Sequence, residues 1–356
     1  EDSNTATLIS ALDAPAKHWQ QLYIVDNTNP LGSKDLLLAA NDDSQYTAYH
    51  GQYHPYFRRY LEKFGLYDVF LVDAGSGHII YSVFKELDYA TSLINGPYAN
   101  SNIADVYRQA KQLPQGEFAI VDYRSYLPSY NAPASFIASP VYSDNRLTGV
   151  LIFQMPIDGL NGIMGERAGL GDTGETYLVG PELLMRSDSY LDAEHRSVVN
   201  SFRFPTTGRV ETLATSEALK GQIGQQIIDD YNGNAVLSSY TPIDILGMKW
   251  LLLAEIDEAE AFAEIHSLTR LLLITLAIVV GLIAFAAVKF SRSLTRPIKA
   301  LVDTLKSVEH NGDFSQRAEI SANDEIGIMG RALNDLLQAL QGSISATNKV
   351  MNQMAK

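Results

Sequence analysis

Residues that could carry out covalent chemistry are present, but their spacing matches no catalytic site. Serine, histidine and aspartate all occur, yet no motif places a histidine beside a nucleophile, no Gly-x-Ser-x-Gly is present and no carboxylate pair has motif spacing. The 356-residue chain has no cysteine, which excludes disulfides, thiolate catalysis and cysteine-ligated metals. We therefore expect a protein that binds a ligand and is not an enzyme.

Two other patterns could hold a ligand at fixed spacing. His50 and His54 are four residues apart and could share a helical face, as in a two-histidine metal site. No carboxylate or third histidine has matching spacing, so a place on the surface or packing between helices is favoured. Gly75 and Gly77 flank a serine but precede a predicted strand, which argues against a phosphate loop. We expect neither a metal nor a cofactor.

An uncharged apolar segment, residues 271–288, divides the chain into two unequal parts. As a helix it would be roughly 27 Å long, close to the hydrocarbon thickness of a bilayer. Arg270 and Lys289 close its two ends. A buried core helix is the alternative, but such helices are usually shorter and carry a polar face. The segment predicts a transmembrane helix over 268–290.

Basic residues are concentrated on one side of this segment. Four Lys and Arg residues follow it within eleven positions, whereas the preceding flank is acidic apart from Arg270. Because Lys and Arg collect on the cytoplasmic side, residues 1–267 are predicted to be periplasmic and residues 291–356 cytoplasmic. The chain has 41 acidic and 27 basic residues, and the acidic excess lies in the outer part. This balance argues against a nucleic-acid partner.

The spacing of apolar residues predicts an α+β outer region. Helical spacing within 1–65 is interrupted at Pro15 and resumes from 42 to 64, where Pro55 predicts a fresh helix and Gly65 its end. Alternation typical of strands then predicts two antiparallel sheets. Strands are predicted at 69–73, 78–83, 118–123, 135–143 and 147–155, around a helix at 102–113, and at 176–179, 183–186, 225–229, 235–240 and 248–256, after a connector at 156–164.

Beyond the apolar segment, two short stretches carry heptad spacing. Apolar residues alternate steps of four and three over 294–308 and again over 326–340. Neither stretch can bury its stripe alone, so a second copy of the chain is implied. The pattern predicts a parallel four-helix coiled coil in a homodimer.

The outer region resembles a known sensor fold in three stretches. The run DDYNGNAVLSSYTPI at 229–243, with GMKW at 247–250 and LAEI at 253–256, resembles the closing strands of a Cache domain. GETYLV at 174–179 looks like the opening of that domain, and LTGVL at 147–151 looks like the end of a preceding one. The resemblance implies two tandem PAS-like Cache domains, a membrane-distal one at 66–164 and a membrane-proximal one at 165–262, on an N-terminal helical region at 1–65.

The part after the span resembles the HAMP signal-relay module, and an unrelated coiled coil is the alternative. The matching motifs are Arg296-Pro297-Ile298, Gly312-Asp313-Phe314 and Asn323-Asp324-Glu325-Ile326-Gly327. They imply a HAMP domain at 291–343, and residues 344–356 look like the start of a further helix or a second HAMP unit. The resemblance assigns signal relay to Pro297, Gly312, Asp313, Phe314, Asp324, Glu325 and Gly327.

The Cache resemblance implies that a small molecule binds in the distal domain, between the sheet and its covering loops. Aromatic walls with a few polar anchors suit such a pocket, although each single tyrosine is better explained as a core or surface residue than as a ligand contact. The candidate ligand-binding residues are Tyr81, Lys85, Tyr98, Asp122, Tyr123, Arg124, Tyr126, Tyr130 and Phe136.

Relatives that bind amino acids typically combine an Arg-x-Trp-Tyr stretch with a late aspartate. This chain has no such stretch, and Gln154 stands where the aspartate is expected. The sequence therefore argues against an unmodified amino acid. Lys85 or Arg124 could instead pair with a carboxylate on the ligand.

The resemblances together imply the sensing and signalling part of a bacterial methyl-accepting chemotaxis protein in the inner membrane. Its expected partners are a small-molecule ligand, a second copy of the chain and cytoplasmic signalling proteins reached through an output domain. A sensor histidine kinase or nucleotide cyclase with the same input module is the alternative. Because the chain starts at Glu1, we expect a longer protein with an upstream membrane helix or signal peptide.

Overall fold

The computed structural model describes residues 12–354 of the chain, in two compact units that divide between Phe262 and Ala263. The predicted helical spacing before residue 12 and the last two residues of the predicted C-terminal helix lie outside the described residues. Helices are α1 (Ala14–Gln20), α2 (Gln45–Phe64), α3 (Asn102–Ala110), α4 (Ile157–Met164), α5 (Ala193–Arg196), α6 (Val198–Arg203), α7 (Pro205–Gly208), α8 (Leu213–Leu219), α9 (Glu258–Ala261), α10 (Ala263–Phe290), α11 (Arg296–Asn311) and α12 (Glu325–Met354). Strands are β1 (Asp68–Asp73), β2 (Ile79–Ser82), β3 (Ala119–Ser125), β4 (Pro133–Ser143), β5 (Arg146–Gln154), β6 (Glu175–Val179), β7 (Gly224–Asp229), β8 (Ala235–Ile245) and β9 (Met248–Asp257).

Helix α2 runs unbroken through Pro55, so the predicted fresh start at this proline is wrong. The Ser44 side chain caps its first turn, and Gly65 ends it with φ of 62° in the left-handed region. Buried side chains lie on both sides of the proline, among them His50, His54 and Leu61. Their burial on one continuous face outweighs the single backbone hydrogen bond that proline cannot donate.

The first sheet has the strand order β2-β1-β5-β4-β3, and every pair is antiparallel, as predicted. Alternation along β1 sends Phe70 and Val72 into a core that α3 covers. Val69 packs on the other face with Leu61 of α2. The sheet is thus enclosed between α3 and α2.

The second sheet has the antiparallel order β6-β9-β8-β7, with helices α5 to α8 inserted between β6 and β7. The segment predicted as a connector forms α4. The strand predicted at 183–186 is wrong: only an isolated bridge joins Val179 to Met185. Leu183 has φ of 68°, and Gly180 N–H donates to the Leu184 carbonyl, so the chain turns back at once and cannot extend as a strand.

The second unit contains an apolar helix and two amphipathic ones. The continuous helical stretch Ala263–Asn311 contains a window of mean hydropathy 3.0 with none of it buried, so it is long and apolar enough to cross a membrane. A π-helical turn, Ser291–Thr295, separates α10 from α11. A connector then leads to α12, which gives the predicted order of helix, connector and helix. The predicted homodimeric coiled coil stays a prediction.

Candidate functional site

Three predicted ligand residues meet in the core beneath the first sheet. Tyr98, Tyr126 and Phe136 are all buried there. The ring centroids of Tyr98 and Tyr126 are 6.2 Å apart, and those of Tyr126 and Phe136 are 5.1 Å apart in an edge-to-face arrangement. These rings form one aromatic wall, and their role in binding stays a prediction.

Tyr81 and Lys85 lie on the side of the sheet that faces α2. The Asp35 carbonyl can only accept a hydrogen bond, so His54 donates to it from Nε2, and the Tyr81 hydroxyl donates to His54 Nδ1 at 2.7 Å. Burial, with the nearby Lys85 charge, lowers the pKa of His54 to about 4, so this histidine is neutral at pH 7. The packing prediction for the two histidines agrees with their stacked rings, 4.4 Å apart.

The Lys85 ammonium is held by a cage of tyrosine rings. Its Nζ lies 4.3 Å from the Tyr81 ring centroid, 5.2 Å from that of Tyr89 and 5.8 Å from that of Tyr23. The ammonium donates to the Ser82 carbonyl. Burial lowers the pKa of Lys85, against the attraction of the Asp68 carboxylate. The ammonium is thus already held by the protein.

Asp122 and Tyr123 lie between the two sheets. The Asp122 carboxylate accepts from Arg186 and from Trp250 Nε1, the latter at 3.0 Å. The Tyr123 ring packs 6.2 Å from the Trp250 ring. A bulge in β3 between Val121 and Arg124 turns these side chains toward the second sheet.

Arg124 and Tyr130 are exposed. Arg124 pairs with Asp105 at 2.8 Å on the surface. Tyr130 has φ of 58° and lines a cavity of about 280 Å³. The nine predicted residues therefore do not surround one cavity. The cavity is lined by Ile24, Leu31, Gly32, Lys34, Phe84, Lys85, Glu86, Leu87, Leu127, Pro128 and Tyr130.

The sequence reasoning missed an acid chamber beside this cavity, formed by Asp68, Glu86, Asp88 and Gln154. Asp68 Oδ1 accepts from the backbone N–H of Val69, Val83 and Phe84. The Tyr126 hydroxyl donates to Asp88 Oδ2. Ser129 donates to Glu86 at 3.0 Å and accepts from Gln154 Nε2 at 3.1 Å, which links the two chamber residues.

Three oxygens of the acid chamber are buried without a hydrogen-bond donor among residues 12–354. They are Asp68 Oδ2, Asp88 Oδ1 and Gln154 Oε1, and the three side chains are 0%, 0% and 3% exposed. Buried polar atoms in native proteins are nearly always paired. The three unpaired oxygens make the acid chamber the candidate binding site of the first sheet's domain.

Burial raises the pKa of every acid in the chamber, and repulsion adds to this at Asp68 and Glu86. Desolvation is the largest cause for each; the charge of Asp88 adds to it at Asp68 and Glu86. The pKa of Glu86 rises to about 8, and that of Asp88 to about 6. None of the ion pairs formed within the described residues involves these three acids. Perturbed pKa values of this kind mark functional sites.

The second sheet has a corresponding acid pair that is fully satisfied. In the first sheet Asp68 pairs with Gln154 across β1 and β5, and in the second Glu175 pairs with Glu255 across β6 and β9. Glu175 accepts from Ser189, Tyr231 and two backbone N–H groups, and Glu255 accepts from Ser238 and Tyr177. The pair in the second sheet is therefore hydrogen-bonded within its own domain, whereas Asp68 Oδ2 and Gln154 Oε1 in the first sheet have no donor among residues 12–354.

The predicted relay residues lie at the ends and turns of the second unit. Pro297 is in the first turn of α11, and Gly312 ends that helix with φ of 64°. Asp313 accepts from the backbone N–H of Ser315, and the Phe314 carbonyl accepts from Arg317. Asp324 Oδ1 accepts from Ile326 and Gly327 N–H, just before α12 opens with Glu325.

The order of two antiparallel sheets, one apolar helix and a helix-connector-helix unit agrees with comparisons with known proteins. Residues 18–265 match the Cache domain family, and residues 289–342 match the HAMP domain. The chain belongs to the Cache family. It is distantly related to chemoreceptors, which confirms the resemblance read from the sequence.

This Cache chain is 29% identical over 221 residues to the probable chemoreceptor y4sI of Sinorhizobium fredii, covering 58% of the chain and 26% of that protein. It spans between 15% and 26% of the lengths of the curated relatives it matches. The ligand-binding domain of the Pseudomonas aeruginosa chemoreceptor PctC with GABA matches at 16% identity and a TM-score of 0.39, over 72% of the chain and 100% of that domain. The periplasmic sensory domain of Campylobacter jejuni Tlp1 matches at 12% identity and 0.39, over 73% and 98%.

Proposed function

We propose that this chain is the sensing and signalling portion of a bacterial chemoreceptor. In this proposal a small molecule binds in the first sheet's domain at 66–164, on the periplasmic side, and the signal passes through the membrane helix to a HAMP dimer. The acid chamber carries the proposal, because it presents unpaired buried oxygens beside a cavity large enough for a small molecule.

The sequence order supports transmission. A Cache region, an apolar helix and a HAMP domain follow one another along the chain. The basic flank after the apolar helix supports placing HAMP in the cytoplasm. Packed helices tend to have discrete arrangements, so a small change at the periplasmic end can select between them.

The second sheet's domain, at 165–262, is proposed to transmit rather than to bind. Its acid pair is satisfied by its own side chains and backbone. It contacts the first domain at Asp122 and Arg186. It also binds the short helix α9 that follows β9, because Glu260 of α9 accepts from the N–H groups of Asp172 and Thr173 at 2.7 and 2.8 Å.

A thermal-shift screen of the full chain in lipid nanodiscs against small metabolites tests this function. We expect at least one compound to raise the melting temperature, since a ligand that binds only the folded state stabilises it. Asp88→Asn should abolish that shift, and Glu211→Gln, an exposed acid of the second domain, should leave it unchanged. The assignment of the sensing domain would be overturned by a ligand that still raises the melting temperature of Asp88→Asn but no longer does so when a residue of the second domain is substituted.

A further inference from the structure

Helix α2 carries a row of aromatic rings on a face that the first sheet does not cover. We call this face the tyrosine row. Its members are each between 43% and 63% exposed, and they are Tyr49, Tyr53, Tyr56, Tyr60 and Phe64. Single exposed rings are normal on a protein surface, but a continuous exposed apolar patch usually marks an interaction site.

The spacing of the tyrosine row fits a second helix. Its members are four, three, four and four residues apart, and the first three of these steps follow heptad alternation. At 3.6 residues per turn, the five rings lie within about 80° of the helix circumference. Ring centroids are 6.4 Å apart for Tyr49 and Tyr53 and 4.6 Å apart for Tyr60 and Phe64. The row is therefore one stripe along a helix of 20 residues.

The chemistry of the row resembles the centre of a protein–protein interface, where tyrosine and arginine are enriched. The Arg59 guanidinium lies 5.0 Å from the Tyr56 ring centroid, and the Lys63 ammonium lies 5.4 Å from that of Phe64. Helix α2 has three Lys and Arg residues and one Glu, whereas the outer part of the chain has an acidic excess. Two copies that approach through α2 therefore avoid most of the repulsion between their acidic surfaces.

The HAMP region indicates that the partner is a second copy of the chain. Within it, Ile298, Leu305 and Leu336 are 45%, 50% and 57% exposed, although they belong to the heptad stripes. A second copy would bury them in the proposed HAMP dimer. Two copies joined there and anchored in one membrane hold their outer regions at a high effective concentration. A single helix stripe, smaller than a standard interface, can then associate.

We propose that the tyrosine row is an interface between the outer regions of two copies of this chain. This inference rests on the HAMP dimer of the proposed function and adds a second contact between the copies. An interface between two identical surfaces is two-fold symmetric, so the residue at its centre contacts its own counterpart. Tyr56 is that residue, because it is the middle member of the row and the most exposed one, at 63%.

Cysteine crosslinking tests the interface directly, because the chain has no cysteine of its own. The full chain is reconstituted in lipid vesicles at low density and treated with a short bis-maleimide. Tyr56→Cys should form crosslinked dimers at least tenfold faster than Glu62→Cys, which lies about 160° around α2 from the centre of the row. Added to Tyr56→Cys, Tyr53→Glu places like charges at the interface and should slow crosslinking at least fivefold. Ala48→Glu adds the same charge outside the row and should leave the rate within twofold.

A further variant, Ile298→Cys, reports on the HAMP dimer separately. If Ile298→Cys crosslinks while Tyr56→Cys reacts no faster than Glu62→Cys, the HAMP dimer stands and the tyrosine-row interface is overturned. If neither Ile298→Cys nor Tyr56→Cys crosslinks, both fail. An unchanged rate on adding Tyr53→Glu also overturns the interface. Melting temperatures of the Tyr53→Glu and Ala48→Glu chains should agree within about 2 °C, since both positions are exposed, so a slower rate reports a lost contact and not a lost fold.

Discussion

Arg186 donates from Nε and one terminal nitrogen to the two carboxylate oxygens of Asp122, at 2.8 and 2.9 Å. The two residues belong to different domains, since Asp122 lies in β3 of the first sheet and Arg186 lies in the loop that follows β6 of the second. The Arg186 side chain is 1% exposed and that of Asp122 27%. Bidentate pairing fixes orientation as well as distance, so this pair sets how the two Cache sheets contact each other.

Replacing the Asp122 carboxylate should weaken the contact between the two domains without weakening ligand binding. Asp122→Asn leaves the buried guanidinium with only part of its partners, so we expect the free energy of unfolding to fall by about 1–3 kcal/mol. Affinity for a ligand of the acid chamber should stay within twofold. Chemical denaturation and calorimetry on the same samples measure both quantities.

Asp105→Asn is the matched control, because Asp105 forms only exposed ion pairs with Arg108 and Arg124. Its effect on stability should be within about 0.5 kcal/mol. If Asp122→Asn instead lost the ligand and kept its stability, Asp122 would be a ligand contact, as the sequence predicts.

Asp88→Asn should change how stability depends on pH. The pKa of Asp88 is about 6 in the folded chain against an ordinary 3.8, because burial disfavours its charge. Between these values the folded state holds a proton that the unfolded state has lost, so the contribution of Asp88 to stability falls as pH rises from about 4 to 6 and is constant above. Asp68, Glu86 and Lys85 face the same space and continue to titrate, whereas the Tyr126 hydroxyl stays protonated because burial raises its pKa.

The variant should therefore be more stable than the unaltered chain at pH 8, by on the order of 2 kcal/mol, and equally stable near pH 4. Melting temperatures across this range, without ligand, measure the difference. Glu211→Gln, which changes an exposed acid, should show the same difference at both pH values. A lower melting temperature for Asp88→Asn at pH 8 would mean that its carboxylate stabilises the fold.

The sheets could be predicted from the sequence because strand alternation is a local signal. Val69 to Asp73 alternate between two covered faces, and the strand found there begins one residue earlier. Local spacing does not reveal that this additional residue, Asp68, is fully buried, since acids are rarely found inside. The acid chamber was missed for this reason, although the closely spaced Glu86 and Asp88 follow a predicted strand.

Asp122 shows a second limit of prediction from sequence. It lies in a correctly predicted strand, but the bulge in β3 decides which way its side chain points. Its partners Arg186 and Trp250 are far away along the chain, and no periodicity links them. The aromatic wall of Tyr98, Tyr126 and Phe136 was easier to predict, because large buried rings collect in one core.

Glu260 should couple the second sheet's domain to the segment that follows it. Its carboxylate accepts from the backbone N–H of Asp172 and Thr173 and from the Thr173 hydroxyl. These bonds lower the pKa of Glu260, so they persist at neutral pH. Glu260→Ala frees both amides, and we expect their hydrogen exchange to accelerate while ligand affinity is unchanged. Glu258→Ala, in the same short helix, is the control and should leave both exchange rates as they are; slow exchange in Glu260→Ala would exclude the coupling.

Two glycines of α12 should respond to alanine in opposite directions. A Cβ at Gly327 would lie 1.7 Å from the Ala322 carbonyl oxygen, and a backbone atom has no rotamer by which to move away. The connector must therefore shift, which disturbs the Asp324 bonds to Ile326 and Gly327 N–H. Gly327→Ala should cost about 1–3 kcal/mol and speed hydrogen exchange in the first turn of α12.

At Gly342 the same Cβ meets no atom within 4 Å. Alanine loses less conformational freedom than glycine when the helix forms, so Gly342→Ala should stabilise α12 by up to about 1 kcal/mol. Thermal unfolding and exchange of the full chain in nanodiscs compare the two variants directly. Equal effects of the two substitutions would show that the close approach of Ala322 to Gly327 does not hold the connector against α12, and the proposed relay role of Gly327 would lose its structural basis.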